Sequence, residues 1–132
     1  MSDSLFVGFL GERRSRRKDK NMLDIERARE FFSQDLYATE ATGIEIDAVG
    51  ENYAKCSLKL SRKHKNAAGH IMGGVMFTLA DFTFAVATNA TRPVTVTSVS
   101  QISFLNSPKG DILYSESKLL KDGRSTCFYC ID

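Results

Sequence analysis

The chain has 132 residues, 42% of them hydrophobic and 26% charged, which is the composition of one globular domain. Its net charge of +2 is unevenly spread, because residues 1–21 carry +3 and the remainder −1. The body of the chain therefore lacks the basic signature of a nucleic-acid-binding domain. Three cysteines without a secretory signal pattern predict reduced thiols in a cytoplasmic protein.

The first 21 residues differ from the rest. An apolar run, Leu5–Leu10, precedes a cluster of arginines and lysines, the reverse of the order in a signal peptide. Met22 then opens an amphipathic pattern. We therefore predict that residues 1–21 are a disordered or non-native extension and that 22–132 form the domain. A basic arm for nucleic acid or a membrane surface is the alternative.

The rest of the chain alternates helical and strand-like patterns. Periodic apolar residues predict a helix over 23–36, and alternation predicts a hairpin of two strands. A long apolar helix follows, and then three strands rich in β-branched residues. The predicted bounds are 43–49 and 53–60 for the hairpin, 73–90 for the long helix, and 94–105, 112–120 and 124–131 for the last strands. This order favours an α+β fold in which one antiparallel sheet wraps one enclosed helix.

Asp81 is the one formal charge between Asn66 and Thr91, in the middle of the long apolar helix. A carboxylate is costly to bury without partners, so its presence there indicates a function. A locally paired aspartate is the alternative. A membrane span is disfavoured for the same segment, because glycine, threonine, aspartate and asparagine interrupt its apolar run.

Three short motifs then resemble the hotdog-fold acyl-CoA thioesterases of the phenylacetyl-CoA (PaaI-like) type. They are Asn66-Ala-Ala-Gly69, Met72-Gly-Gly74 and Leu79-Ala-Asp81, with the family's spacing. The resemblance implies a hotdog fold, an acyl-CoA substrate, a homodimer or homotetramer, and no cofactor. Met72 stands where the family has a histidine. After Asp132 the family would add a further strand, so the resemblance predicts a missing final strand and an unpaired sheet edge.

Thioester hydrolysis needs an activated nucleophile and a group that stabilises the oxyanion. Asp81 can act as general base on water or as nucleophile, and the backbone N–H of Gly73 or Gly74 can bind the oxyanion. Asp81 lies eight residues beyond Gly73, roughly 12 Å along a helix. Both groups must lie within about 3.5 Å of the reacting atoms. We therefore expect a dimer whose sites each combine Asp81 of one chain with the glycine amide of the other.

The resemblance supplies further site residues. Asn66 is expected near the reacting carbonyl or water, Ser98 and Met72 beside the substrate, and Lys121 and Arg124 near the phosphates of coenzyme A. Each has a structural alternative: a loop cap for Asn66, a plain strand residue for Ser98, and a solvated turn for the two cations.

These residues predict an acyl-CoA thioesterase that uses no metal. Cys127 and Cys130 form a CxxC pattern without a second pair to complete a zinc site, so both are expected to be structural. A non-catalytic acyl-CoA-binding module is the main alternative, because Met72 replaces the histidine. A hotdog hydratase is a weaker one, because His64 and His70 lack convincing spacing to Asp81.

Overall fold

A computed structural model describes residues 7–13, 24–90 and 94–132. These residues form one antiparallel sheet of six strands, in the order β2-β3-β5-β6-β1-β4, and two α-helices. The strands are β1 Val7–Arg13, β2 Ile44–Gly50, β3 Tyr53–Lys59, β4 Thr95–Ile102, β5 Ile112–Asp122 and β6 Thr126–Ile131, and the helices are α1 Ile25–Phe32 and α2 Gly73–Asn89.

The predicted elements are confirmed with shifted ends. α1 begins after Asp24, whose side chain accepts a hydrogen bond from the Glu26 amide, and it stops earlier than predicted. A π-helical turn, Tyr37–Thr42, continues the chain to Gly43, whose φ of 91° ends it in the left-handed region. The hairpin, α2 and the last three strands follow as predicted.

The sheet wraps around α2, and together they enclose the core. Phe84 on the inner side of α2 is 1% exposed and makes an edge-to-face contact with Tyr129 of β6. Phe82 makes a similar contact with Phe32 of α1. Cys127 and Cys130 are buried and form no disulfide within the described residues, as predicted for structural cysteines. The fold class is the predicted α+β arrangement.

The N-terminal segment departs from prediction. Val7–Arg13 is a strand, antiparallel to β6 on one side and to β4 on the other, where the sequence predicted a disordered or non-native extension. Residues 1–6 and 14–21 lie outside the described part. Val7 stands opposite Ile131, where a strand continuing from β6 through a hairpin would start. β1 therefore pairs with β6 where the sequence predicted an unpaired edge.

Local patterns could not reveal this pairing. β1 has strand-forming residues, but its two neighbours in the sheet lie roughly ninety to one hundred and twenty positions away along the chain. Unsatisfied backbone groups on β4 and β6 are costly to bury, and β1 satisfies them on both strands.

Candidate active site

The N-terminus of α2 carries two glycines at its first two positions. The residue before them, Met72, caps the helix with φ −67° and ψ 134° and makes no side-chain hydrogen bond to it. The Met72 amide itself donates to the carbonyl of His64. The first amides of the helix, Gly73 and Gly74, therefore lie at the positive end of the helix dipole, where an anion is stabilised.

Gly73 lies against an aromatic ring. A Cβ at this position would lie 3.1 Å from the ring of Phe104, in the segment after β4. Gly74 is exposed, and a Cβ there would meet the end of Met72 at an ordinary 3.7 Å. Glycine at position 73 thus allows the chain after β4 to pack directly on the start of the helix.

Asp81 lies on the outer side of α2. Gly74, Thr78, Asp81 and Ala85 recur at helical spacing and form a stripe that the sheet does not cover. We call these four residues the outer stripe. The sequence predicted a helix enclosed on all sides, and this is wrong for the outer stripe: Asp81 is exposed in the single protomer, whereas Phe82 and Leu79 beside it are buried.

The surroundings of Asp81 raise the pKa of its carboxyl above the ordinary value. Partial desolvation is the main cause; a hydrogen bond from Thr97 of β4 opposes it, and the negative charge of Asp35 adds to it. Asp35 and Asp81 line one cleft of about 310 Å³ together with Tyr37 of the π-helical turn. A carboxylate with a raised pKa in a cleft is typical of a general base.

β4 brings Thr97, and not Ser98, to Asp81. Ser98 is the extra residue at the register shift between β4 and β1, where Thr97 lies opposite Gly11 and Val99 opposite Leu10. The start of β4 is tied to the end of α2 by Asn89, whose side chain bonds both the amide and the carbonyl of Thr95 at 2.7 and 3.1 Å. Thr97 is thus the β4 hydroxyl next to Asp81, and the role of Ser98 beside the substrate stays a prediction.

Asn66 closes its own loop. Its Oδ1 accepts hydrogen bonds from the amides of Ala68 and His70 at 3.0 and 3.1 Å. This is the local cap that the sequence offered as the alternative to a catalytic role. The same bonds hold the loop that leads to Gly73, so Asn66 positions the start of α2 in this protomer.

The two histidines are explained by their surroundings. His64 is 3% exposed; its Nδ1 accepts from the Ser61 amide, and its Nε2 donates to the carbonyl of Thr42 at 2.8 Å. Both ring nitrogens are therefore used structurally in the neutral form. His70 is exposed in the loop before Met72, so neither histidine lies beside Asp81 in the described chain.

Cations occur at both ends of α2. Lys121 and Arg124 lie at the turn between β5 and β6, at the end of the sheet where β4 begins beside Asn89 of α2. The sequence did not single out a second pair of cations, Arg62 and Lys65, which line an open cleft of about 600 Å³ beside the loop that precedes α2. Its signal was the basic run Arg62–Lys65, which the structure brings next to Gly69 and Pro108.

Comparison with known proteins identifies the family. The acyl-coenzyme A thioesterase PaaI of Escherichia coli is 30% identical over 108 residues, which cover 81% of this chain and 76% of that protein. The thioesterase superfamily model matches residues 68–132, from the loop before α2 to the end of β6. The chain belongs to the thioesterase superfamily.

Solved structures of this superfamily confirm the hotdog fold. The E. coli PaaI protein of the phenylacetic acid degradation operon matches with a TM-score of 0.64 at 22% identity, over 82% of this chain and 94% of that one. A thioesterase protein from Streptococcus pneumoniae, solved with coenzyme A, matches with a TM-score of 0.64 at 18% identity, over 76% and 96%. Among the described residues of this thioesterase-superfamily chain, no helix is long and apolar enough to cross a membrane.

Proposed function

We propose that this protein hydrolyses acyl-CoA thioesters in a homodimer, with Asp81 as general base or nucleophile. The observation that carries the proposal is a carboxyl of raised pKa on the uncovered side of α2, in contact with Thr97. Membership in a thioesterase superfamily and the E. coli relative named an acyl-CoA thioesterase support the reaction class.

The chemistry suits a carboxylate without a general acid. As base, Asp81 removes a proton from water while the oxygen attacks the thioester carbon, and the carbon–sulfur bond of the resulting intermediate breaks. Coenzyme A leaves as a thiol whose pKa is about 8.5, so it departs with little protonation. As nucleophile, the carboxylate forms an anhydride that water then cleaves.

The oxyanion is assigned to the amide of Gly73 or Gly74. Both lie at the start of α2, where backbone N–H groups and the helix dipole stabilise negative charge. Asp81 is eight residues further, roughly 12 Å along the axis. A single helix therefore does not supply both groups to one carbonyl, whereas two antiparallel helices of a symmetric dimer do.

β4 is the surface that suits this dimer. Within the described residues it pairs only with β1, so its other side is a free sheet edge. Val96 and Val99 on it are 47% and 59% exposed. An exposed hydrophobic edge strand readily pairs with a second one, and pairing here would bring two outer stripes together. In that arrangement Lys121 and Arg124 would approach the N-terminus of the partner's α2.

The test is thiol release from a panel of acyl-CoAs by the wild type and by Asp81→Asn. We expect kcat/KM to fall at least about 10³-fold, because the variant loses the group that activates the nucleophile. The matched control is Asp35→Asn, which removes the other carboxylate of the same cleft and should retain activity within a few-fold.

The free energies of unfolding of the wild type and Asp81→Asn show whether a loss of activity comes from lost chemistry or from a folding defect. Burial raises the pKa of Asp81, so its stabilising contribution is present in the protonated form at low pH and is lost as pH rises through the folded-state pKa. At neutral pH, Asp81→Asn should therefore be at least as stable as the wild type. Acyl-CoA binding without turnover by folded wild type would favour the binding-module alternative.

A further inference from the structure

A third cavity lies on the inner side of α2, on the side away from the Asp81 cleft. It has a volume of about 270 Å³ and lies between α2, the segment 105–109 and strands β5 and β6. Its apolar lining is supplied by Met76, Leu79 and Ala80 of α2, by Leu105 and Leu113, and by Ile131.

One polar side chain in this lining lacks a partner. Ser115 of β5 is 4% exposed, and its Oγ makes no hydrogen bond with any residue that the structure describes. A buried hydroxyl without a partner costs free energy, so such groups usually await a ligand or an ordered water.

Ser117, two positions along the same strand, provides the contrast. It is also 4% exposed, but its Oγ accepts a hydrogen bond from the amide of Ala54 at 2.8 Å. Residues 115 and 117 face the same side of the sheet. The two serines are therefore equally buried but differ in hydrogen bonding. The hydroxyl of Ser117 has a backbone partner, whereas that of Ser115 has none among the described residues and lines a cavity.

The cavity starts next to the proposed oxyanion site. Phe104 packs on Gly73, and the next residue, Leu105, lines the cavity. Along α2, Met76 and Leu79 lie three and six residues beyond Gly73, roughly 5 and 9 Å at 1.5 Å per residue. An acyl group whose carbonyl is held at Gly73 therefore has an apolar path of this length along the inner side of the helix.

The polar cleft on the other side of the same segment suits the opposite end of the substrate. The cavity and the basic cleft with Arg62 and Lys65 share Ser107 and Pro108 as a common wall. The cleft carries cations, and the cavity is lined mainly by apolar side chains, with Lys109 and Asp132 also in its lining. This arrangement matches a molecule with a phosphate-bearing head and an acyl tail.

We propose that this cavity binds the acyl group and that Ser115 selects acyl groups carrying a hydroxyl or carbonyl oxygen at their far end. The inference rests on the proposed thioesterase function. Ser115 is a specificity residue in this account: it hydrogen-bonds the distal oxygen and takes no part in bond breaking. A site built to bond a substrate hydroxyl rejects the analogue that lacks it, because its own polar group then stays unpaired.

The experiment compares a matched substrate pair, hexanoyl-CoA and ω-hydroxyhexanoyl-CoA, on the wild type, Ser115→Ala and Ser117→Ala. The wild type should prefer the hydroxylated substrate by about tenfold or more in kcat/KM. Ser115→Ala should lose this preference while its Tm stays equal or rises, because it loses no hydrogen bond within the protein. Ser117→Ala should keep the preference and melt at a lower temperature.

Equal preference in the wild type and Ser115→Ala would overturn the proposal and leave Ser115 as a hydroxyl bonded to water alone. Failure of the proposed function is distinguishable, because then neither thioester releases thiol. In that case, calorimetry can measure the affinities of free ω-hydroxyhexanoate and hexanoate for the same three proteins, which still tests whether Ser115 recognises the distal oxygen. Tighter binding of the hydroxy acid that disappears only in Ser115→Ala supports the site, and equal binding overturns it.

Discussion

The two edge strands of the sheet, β2 and β4, differ in how their outer edges are protected. β2 is covered: α1 lies against it, and the guanidinium of Arg29 donates two hydrogen bonds, at 3.0 and 2.8 Å, to the carbonyl of Ile46. Its pairing with β3 also shifts register after Ile46. A covering helix, an occupied carbonyl and a bulge are the devices that keep an edge from pairing with another chain.

In the described part of the chain, β4 shares only the bulge, because its pairing with β1 shifts register at Ser98, which has no partner on β1. Its eight residues, Thr95–Ile102, still present the exposed valines Val96 and Val99. The same side of the molecule holds the outer stripe with Asp81. The contrast teaches that the fold protects one edge and leaves open the edge beside the proposed catalytic carboxylate, as a shared site would require.

Outside the proposed catalytic groups, the largest effect should come from a charge on the open edge. Val99→Lys places an ammonium on β4, where a dimer would bury it, so we expect a monomer with at least about 100-fold lower kcat/KM. The matched change on the covered edge, Glu45→Lys, lies on an exposed position of β2 and should alter neither mass nor activity. Light scattering coupled to gel filtration measures the mass. A Val99→Lys protein that remains an active dimer would place the interface elsewhere.

The pH dependence of kcat/KM tests the environment of Asp81 on the open side. Activity requires the carboxylate, so it is lost as pH falls through the pKa. Asp35→Asn removes a negative charge that raises this pKa, and the acid limb should move to lower pH. Thr97→Val removes a hydrogen bond that lowers it, and the limb should move to higher pH.

Ser98→Ala is the control for this pair. Ser98 neighbours Thr97, but the hydroxyl that lowers the pKa of Asp81 is that of Thr97, so the substitution should leave the acid limb in place. If the limb moves equally in Thr97→Val and Ser98→Ala, the assigned register of β4 at the site is wrong.

The smallest expected effect is on the free energy of unfolding, from removing a contact at the covered edge strand β2. Arg29→Ala removes both hydrogen bonds to Ile46, and we expect the free energy of unfolding to fall by about 1–2 kcal/mol. Arg27→Ala, an exposed arginine on the same helix, should change it by less than about 0.5 kcal/mol. Urea denaturation measures both. Equal effects would mean that the Arg29 contact adds nothing to the covering of β2.

The sequence predicted the elements well where periodicity carries information. α2, the hairpin and the last three strands follow from apolar spacing and turn residues, and the motif around Asp81 indicated the superfamily. Thr97 could not be told from Ser98, because the segment Thr95–Ser100 places small polar residues on both faces of the strand. Nothing in an alternating pattern says which face meets α2.

Two further features depend on tertiary contacts. β1 joins the sheet by pairing with both β4 and β6, and the residues of β1 alone do not predict this pairing. Ser115 and Ser117 are equivalent in the pattern of β5, and only the position of Ala54 separates a satisfied hydroxyl from an unsatisfied one. The outer stripe was missed for a related reason: an apolar helix has the same composition whether its own sheet or a second copy covers it.

The shared site can be tested by mixing two inactive proteins. Gly73→Pro removes the amide at the first helical position, where proline is tolerated, and Met72 already has a ψ of 134° that suits the residue before proline. Gly73→Ala is its control, because it brings the same crowding against Phe104 but keeps the N–H. We expect Gly73→Pro to lose about 10²-fold or more in kcat and Gly73→Ala to retain most activity.

The decisive measurement is thiol release by heterodimers of Asp81→Asn and Gly73→Pro, co-expressed with different tags. In a shared-site dimer each heterodimer has one intact site, so a random mixture should recover about a quarter of wild-type activity. If Asp81 and Gly73 act within one protomer, each protomer of the heterodimer carries one inactivating substitution and no site is intact. Purified heterodimers as inactive as the two parents would contradict the account.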